Sequence, residues 1–420
     1  DGLLKQRLDT PYVRENGTLV KTSWDIAIQK IAKKFAEVNP KNVGGHIGDM
    51  VSIENIFAFK NFLKSFGVTN IEWKEKKLHI NASEKMNYIF NTSINDIENA
   101  DLIILIGTNP RLEATMLNAR IRKTFLKKNL KIWSFGNPGD LSYDYKVIGE
   151  NTSNLIELLE GKNEFGNKLK DSKRPLFILG ESLLELDSAN FIFEKLKNFL
   201  IKNNLVNENW NSLNILLQNA SSVGAIDLIT TQLNQNNNFD FFSKLENDEI
   251  KLLYLLGSDN LDYKKGDKFI IYQGSHGDRG AEKADVILPS PAFTEQDGLY
   301  SNLEGRIQEC RKASYPIGES KRDWQIFNLI SNTINKKNLF KSFKEIRELS
   351  IKEIKNFKEI DSLPLKKTSS ITENNFKFIN EKIAIKDIDY YFSNSISRSS
   401  KTMSECRNLR HNKKPNGREN

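Results

Sequence analysis

Leu102-Ile-Ile-Leu-Ile106, Gly107-Thr-Asn-Pro110 and Arg111-Leu-Glu-Ala-Thr-Met-Leu-Asn-Ala-Arg-Ile-Arg-Lys123 form one continuous stretch, and its reading decides the fold. Five bulky apolar residues without polar alternation fit a strand buried on both faces, as in a parallel sheet. Gly107 lets the backbone turn sharply, and Pro110 sits where the first turn of a helix tolerates it. A helix is predicted from about Arg111 to Lys128. Such a strand, turn and helix present backbone N–H groups and a positive dipole end outside the carboxyl end of a strand. In open α/β sheets dinucleotides and phosphates dock there. The plainer alternative is a capped helix with Arg111 on the surface.

The pattern repeats outward from this stretch. Leu176–Leu179 ends in Gly180, Leu252–Leu256 ends in Gly257, and Phe269–Tyr272 and Val286–Leu288 are of the same kind. Between them lie helical periodicities: one capped by Ser23, one over Ser52–Phe66 ending at Gly67, and others near Ser188–Asn203, Ser222–Asn234 and Asp323–Lys337. Trp24 and Trp324 each stand at a helix start, as anchors into the core. Strands alternating with helices predict an α/β fold, doubly wound, with mostly parallel sheets and flanking helices. The expected organisation is an α/β region over 1–337, divisible into lobes of about 1–165 and 166–337. A polar surface helix (339–357) and linker follow within 338–388, and 389–420 forms a C-terminal docking segment and basic tail.

Composition excludes several classes. The 420 residues carry 62 Lys+Arg against 54 Asp+Glu, a net charge of +8. That excess is diluted along the chain and gathered in the tail, not striped with aromatics as a nucleic-acid surface requires. Two cysteines, Cys310 and Cys406, cannot supply an all-thiolate zinc or cubane site, and both are expected to be reduced. The four histidines lack metal-ligand spacing. No apolar run approaches the roughly 18–20 residues of a membrane span. The opening residues are neither a secretory nor a transit segment, so the chain is expected to be a soluble piece continuous with something upstream. The Lys and Asn bias suggests an AT-rich genome.

Two further segments bear on chemistry. Gly274-Ser-His-Gly-Asp-Arg-Gly280 follows a strand, and Thr294-Glu-Gln-Asp-Gly-Leu-Tyr-Ser-Asn-Leu-Glu-Gly-Arg-Ile-Gln308 comes soon after it. His276 either contacts a phosphate or is a hydrogen-bonded loop histidine. Glu295, Asp297 and Glu304 beside Arg306 read as satisfied surface pairs. Arg111, Arg120 and Arg122 read as an interface or ion-pair face.

Together with Asp1-Gly-Leu-Leu-Lys-Gln-Arg-Leu8, Gly48-Asp-Met-Val-Ser-Ile-Glu54, Ala284–Pro289 and Asp389-Tyr-Tyr-Phe-Ser-Asn-Ser-Ile-Ser-Arg-Ser-Ser-Lys-Thr-Met-Ser-Glu-Cys406, these stretches carry a resemblance. They resemble the molybdopterin-oxidoreductase-like, carboxyl-terminal half of the largest (seventy-five-kilodalton) iron–sulfur subunit of respiratory complex I, NADH:ubiquinone oxidoreductase, of the mitochondrial and alphaproteobacterial type. The resemblance covers about residues 1–335 and 385–406. It implies the domain folds of formate dehydrogenase and DMSO reductase, with an extended C-terminal tail.

In catalytic relatives, the resemblance implies, the loop matching Gly107-Thr-Asn-Pro110 and the segment matching Leu288-Pro289, Asn302, Glu304 and Arg306 lie around a pterin guanine dinucleotide. Gly107, Asn109, Pro110, Arg111, His276, Asn302 and Arg306 are therefore the candidates for a vestigial pocket. The complex I subunits are understood to keep that scaffold without molybdenum. The expectation is a chain with no catalytic residue, cofactor or metal of its own. Iron–sulfur clusters belong to the preceding ferredoxin-like half or to partner subunits. The partners implied are other peripheral-arm subunits, including that half and the flavin-bearing module, with no nucleic acid and no membrane span. The location implied is the matrix side of the mitochondrial inner membrane, or else the cytoplasmic face of a bacterial plasma membrane. The competing reading is an active molybdopterin-dependent oxidoreductase fragment.

Overall fold

Each unbroken apolar run becomes an interior strand of one of two sheets in the computed structural model, which describes residues 1–128, 130–230, 240–365, 371 and 375–412. The first strands are β1 (Tyr12–Glu15), β2 (Thr18–Lys21), β3 (Val43–Ile47) and β4 (Asn70–Glu72). Next come β5 (Leu102–Ile106), β6 (Lys131–Phe135), β7 (Lys146–Gly149), β8 (Pro175–Gly180) and β9 (Leu213–Leu216). The last are β10 (Leu252–Leu256), β11 (Phe269–Gly274), β12 (Val286–Pro289), β13 (Gly298–Ser301) and β14 (Ile307–Cys310).

A seven-stranded sheet has the order β2-β1-β12-β11-β10-β3-β4, and a five-stranded sheet the order β7-β6-β5-β8-β9. The second is parallel throughout, with Leu102 of β5 level with Lys131 and Pro175. In the first, β10 runs parallel to both β11 and β3, and Leu252 lies between Phe269 and Val43. The β1–β2 hairpin closes one edge in antiparallel sense. β13 and β14 form a separate antiparallel pair.

The division expected near residue 165 falls inside the five-stranded sheet, between β7 and β8. The chain makes half of one sheet, then all of the other, then returns to complete the first. Apolar runs mark strands but not their pairing order, so periodicity alone places that boundary wrongly. The hairpin is a feature the periodicity does not give. Its Asn16-Gly17 turn has φ of 46° and 84°, the two positive values of a type I′ hairpin.

Helices form where the caps predict them. Ser23 accepts from Ile26 N–H to start Trp24–Glu37, and Ser52 accepts from Asn55 N–H to start Ile53–Ser65. The latter helix packs Phe59 and Phe62 against Tyr254 and Phe327, with ring centroids 5.2 Å apart for Phe59–Tyr254 and 5.1 Å for Phe62–Phe327. Trp24 and Trp324 pack partly buried against this core.

Two helices differ from expectation. The segment from Arg111 to Lys128 breaks at Ala114, which is non-helical with φ −151° and ψ 71°, giving Pro110–Glu113 and Thr115–Lys128. Glu113, the last residue before the break, turns back onto its own loop. The helix expected over Ser222–Asn234 is an α-turn, Ser222–Ala225, passing into a π-turn, Ile226–Thr230, while residues 231–234 lie outside the described residues. The wider turn carries Asp227 inward, where it accepts from Tyr88 Oη at 2.6 Å and from Lys85 Nζ at 2.5 Å.

The polar helix after residue 338 is Phe343–Glu353, and it is more than a solvated face. Its Arg347 reaches the buried Glu54 at 2.8 Å, and Glu353 pairs with the buried Lys60. Most of the expected linker's centre (366–370 and 372–374) and the tail 413–420 lie outside the described residues.

Candidate functional site

The carboxyl ends of the strands in both sheets open toward one crevice, the position at which open α/β sheets receive ligands. Glycines let neighbouring strand ends within each sheet approach there. A Cβ on Gly180 at the end of β8 would stand 2.4 Å from the carbonyl oxygen of Gly107 at the end of β5. A Cβ on Gly48 after β3 would stand 1.8 Å from that of Gly257 after β10.

Two cavities fill the crevice and share Asp49, Asn260 and Asn394 as walls. The smaller, about 80 Å³, lies over β10 and β11. The larger, about 630 Å³, is walled by Trp73, Lys76, Glu113 and Glu181, among others.

Acids dominate these walls. Asp49 follows Gly48, and Asp259 follows Gly257 by two residues. Burial and the neighbouring Glu75 carboxyl hold Asp49 well above the usual carboxylate range. Burial and then the Asp278 carboxylate push Asp259 up to about 6. Burial raises Glu113 and Glu181 as well. Lys76 answers only part of this charge, pairing with Glu181 at 3.0 Å and Glu185 at 2.7 Å.

The Gly107–Pro110 loop has the form of an anion cradle, but its donors are already engaged. Asn109 N–H donates to Glu113 Oε1 at 2.7 Å, and the Thr108 hydroxyl donates to Glu113 Oε2 at 2.8 Å. Asn109 Oδ1 accepts from the N–H groups of Arg111 and Leu112 at 3.1 and 3.3 Å, and its amide donates to the Pro138 carbonyl at 2.7 Å. Arg111 turns outward to Asp140. A carboxylate of the chain itself thus holds the place a phosphate would take. A pyrophosphate would enter among acids that already repel one another, so the residues present do not fit a pterin dinucleotide.

The seven candidate residues fall in three places, and none lines either cavity. Gly107, Asn109, Pro110 and Arg111 cap β5. His276, fully buried after β11, has Nδ1 2.8 Å from Ser275 Oγ and Nε2 3.3 Å from the Gly2 carbonyl. Burial, and after it the Arg7 charge, lowers its pKa. Asn302 and Arg306 belong to the β13–β14 turn. Asn302 Oδ1 accepts from the N–H groups of Glu304 and Arg306, both at 3.0 Å, and the Arg306 guanidinium holds the Asp361 carbonyl.

The acids read as surface pairs divide. Asp297 accepts from Lys312 N–H in the open. Glu295 is no surface residue: its two oxygens take the Arg7 guanidinium, both at 2.6 Å, with side chains 2% and 4% exposed. Its partner lies far away in sequence, and local charge reading cannot see it. Arg120 pairs with Glu98 at 2.9 Å, and Arg122 donates to the Ser142 carbonyl at 3.2 Å.

The residues that close the crevice come from the C-terminal segment. Its short helices Tyr390–Phe392 and Ser395–Arg398 line the cavities at the strand ends, and the helix Lys401–Asn412 that follows reaches the larger one through Met403. Arg398, 8% exposed, donates from Nε to Asp278 at 2.6 Å. Its Nη1 donates to Asn260 Oδ1 at 3.0 Å and to the Phe392 carbonyl at 2.9 Å. Asp49, Asp259, Asn260 and Arg398 are absent from the sequence-derived candidates. The readable signal for the two aspartates is an acid just past a strand-terminal glycine. Arg398 has no local signal.

Comparison with known proteins agrees with this architecture. The molybdopterin oxidoreductase family profile matches residues 7–333, and a profile for the C-terminal region of an NADH-ubiquinone oxidoreductase subunit matches residues 352–406. The chain is 36% identical to the NADH-ubiquinone oxidoreductase 75 kDa subunit of Reclinomonas americana, over 97% of this chain and 61% of that one. It is 36% identical to the NADH-ubiquinone oxidoreductase 78 kDa subunit, mitochondrial, of Candida albicans, over 97% and 57% respectively. The chain thus spans somewhat more than half the length of these relatives. Among solved structures, the formyltransferase/hydrolase complex of Methylorubrum extorquens superposes with a TM-score of 0.60 at 14% identity, covering 79% of this chain and 100% of that one. Acetylene hydratase of Pelobacter acetylenicus gives 0.51 at 13% identity, covering 79% and 62%. These two likenesses concern the fold alone. On the profile match over most of its length, the chain belongs to the molybdopterin oxidoreductase family.

Proposed function

We propose that this chain is a scaffold portion of respiratory complex I, part of the peripheral arm on the matrix side of a mitochondrial inner membrane, without a cluster or molybdenum of its own. Its relatives' names support the assembly, and mitochondrial proteins are among them. The observation that carries the non-catalytic reading is the self-occupied crevice. Glu113 takes the loop donors, and the C-terminal segment lies where a long ligand would run.

Its work is mechanical. Two sheets joined through one continuous core fix the positions of whatever docks on them, among them the cluster-bearing half and the flavin-bearing module. Electron transfer between centres falls steeply with distance, so a rigid support has a kinetic effect without touching an electron. Among the described residues no helix is long and apolar enough to cross a membrane.

Native-gel isolation of the assembly, with an in-gel NADH oxidation stain and mass identification of its companions, tests the proposal. This chain is expected in the NADH-oxidising band, with no molybdenum in proportion to it. Stoichiometric molybdenum or pterin in the purified chain overturns the non-catalytic reading. Migration apart from any NADH-oxidising assembly overturns the complex I reading.

A further inference from the structure

The C-terminal segment is attached to the rest of the molecule in an unusual way. Strands β5 and β10 are buried along their whole length, whereas within 389–410 Ser400 alone is buried. Its hold is polar and falls at three points. Arg398 sits between Asp278 and Asn260. The Asp1 carboxylate caps the last helix, accepting from Lys401 N–H at 2.9 Å, Thr402 N–H at 3.4 Å and the Ser400 hydroxyl at 2.6 Å. Ser399 Oγ donates to Gln6 Oε1 at 3.0 Å. An extended stretch without helix or strand, residues 375–388, leads into it apart from one isolated bridge at Lys382.

Asn394 and Arg398 wall the smaller cavity, and Tyr390, Phe392, Asn394 and Met403 wall the larger. Of the three walls the cavities share, Asn394 belongs to the segment, so lifting it opens both acid-lined cavities on that side. Segments with little buried apolar surface open at lower free energy than the core that carries them.

We infer that the crevice is a peptide-binding groove whose resident ligand is the chain's own segment 389–404, a detachable strap anchored by Arg398 that opens as one unit while both sheets stay folded. The inference stands apart from the scaffold reading, which keeps its support from the Glu113 contacts whether or not the strap opens.

Hydrogen exchange on the intact chain tests it. Amides of Ser395–Met403 are expected to exchange in unison, about tenfold or more faster than those of β5 and β10. Arg398→Ala leaves the partly buried Asp278 carboxylate without its ion pair at the anchor, so the strap's exchange should quicken by a further tenfold to roughly a hundredfold, with the strands unchanged. A labelled peptide of residues 389–406 should then bind the full-length Arg398→Ala chain saturably, and much more weakly when the peptide carries the same substitution. Exchange of the wild-type strap only in step with β10 overturns the inference. So does an Arg398→Ala chain whose strands lose protection along with the strap, or a peptide that binds equally with and without its arginine.

Discussion

Replacing Arg7 by Met isolates a charge interaction buried on both sides. Arg7 presents two nitrogens to the two oxygens of Glu295, each at 2.6 Å, and also donates to the carbonyls of Ser275 and Leu3 at 3.2 and 3.0 Å. Both side chains are shut off from water, so the substitution strands a carboxylate that keeps Ala292 N–H, at 2.9 Å, as a donor. Breaking a buried pair from one side costs about 3–5 kcal/mol. An unfolding entropy of about 2.1 cal/mol/K per residue converts this, over the whole chain, into a Tm lower by roughly 3–6 °C. Glu295→Met should cost a similar amount, because it strands the guanidinium. The double variant removes both desolvated charges, and it should recover to within about 1–2 kcal/mol of the parent. Differential scanning calorimetry of the four proteins closes the cycle. Single variants that melt with the parent, or a double variant as damaged as the two singles added together, would refute the claim that this pair is held by mutual compensation.

Other perturbations test other parts of the structure. Asp259 has its folded pKa raised to about 6 from a reference of 3.8, so its charged form opposes folding above pH 6 and the opposition fades as pH falls toward 4. Asp259→Asn should therefore stabilise at pH 7 by no more than about 3 kcal/mol, a figure already net of the attraction to Arg398, and change nothing near pH 3.5; urea midpoints at the two pH values check this. Gly180→Ala drives a Cβ into the Gly107 backbone and should cost about 2–3 kcal/mol, whereas Gly17→Ala meets nothing within 4 Å and should cost about 1 kcal/mol through its positive φ alone; thermal melts rank the two. Tyr88→Phe removes a hydroxyl donor to the buried Asp227 and should cost about 1–2 kcal/mol, with amides of the Ile226–Thr230 turn losing protection first.

What the sequence displays and what it conceals follow from the range of each interaction. Strands buried on both faces announce themselves through unbroken apolar runs, as at Leu102–Ile106 and Leu252–Leu256. Ser23 and Ser52 announce helix starts because a cap acts over three residues. The Gly107–Pro110 turn is readable as an anion cradle for the same reason. The Glu113 that fills it stands four residues past the Asn109 cap, one position beyond the capping-box spacing, so the motif does not announce it. Strands β3, β6 and β9 lack an unbroken run because small or polar residues interrupt them: Gly44-Gly45-His46 in β3, Ser134 in β6 and Asn214 in β9. The long-range ion pairs Arg7 with Glu295 and Arg398 with Asp278 join residues 288 and 120 positions apart. No local pattern encodes them.

The interleaving of the two sheets has a consequence for how the chain emerges from the ribosome. β3 pairs with β4 soon after both are made, but its other neighbour, β10, lies about two hundred residues downstream. At ~5–20 residues per second its second edge stands open for roughly 10–40 s, while the five-stranded sheet is completed in the interval. Open strand edges recruit other chains. Val43-Gly-Gly-His-Ile47 is a poor recruit in this respect, since paired glycines and a histidine give a nascent neighbour little to grip. The same glycines that admit Leu63 and Ile250 in the finished core also keep the waiting edge unattractive during synthesis.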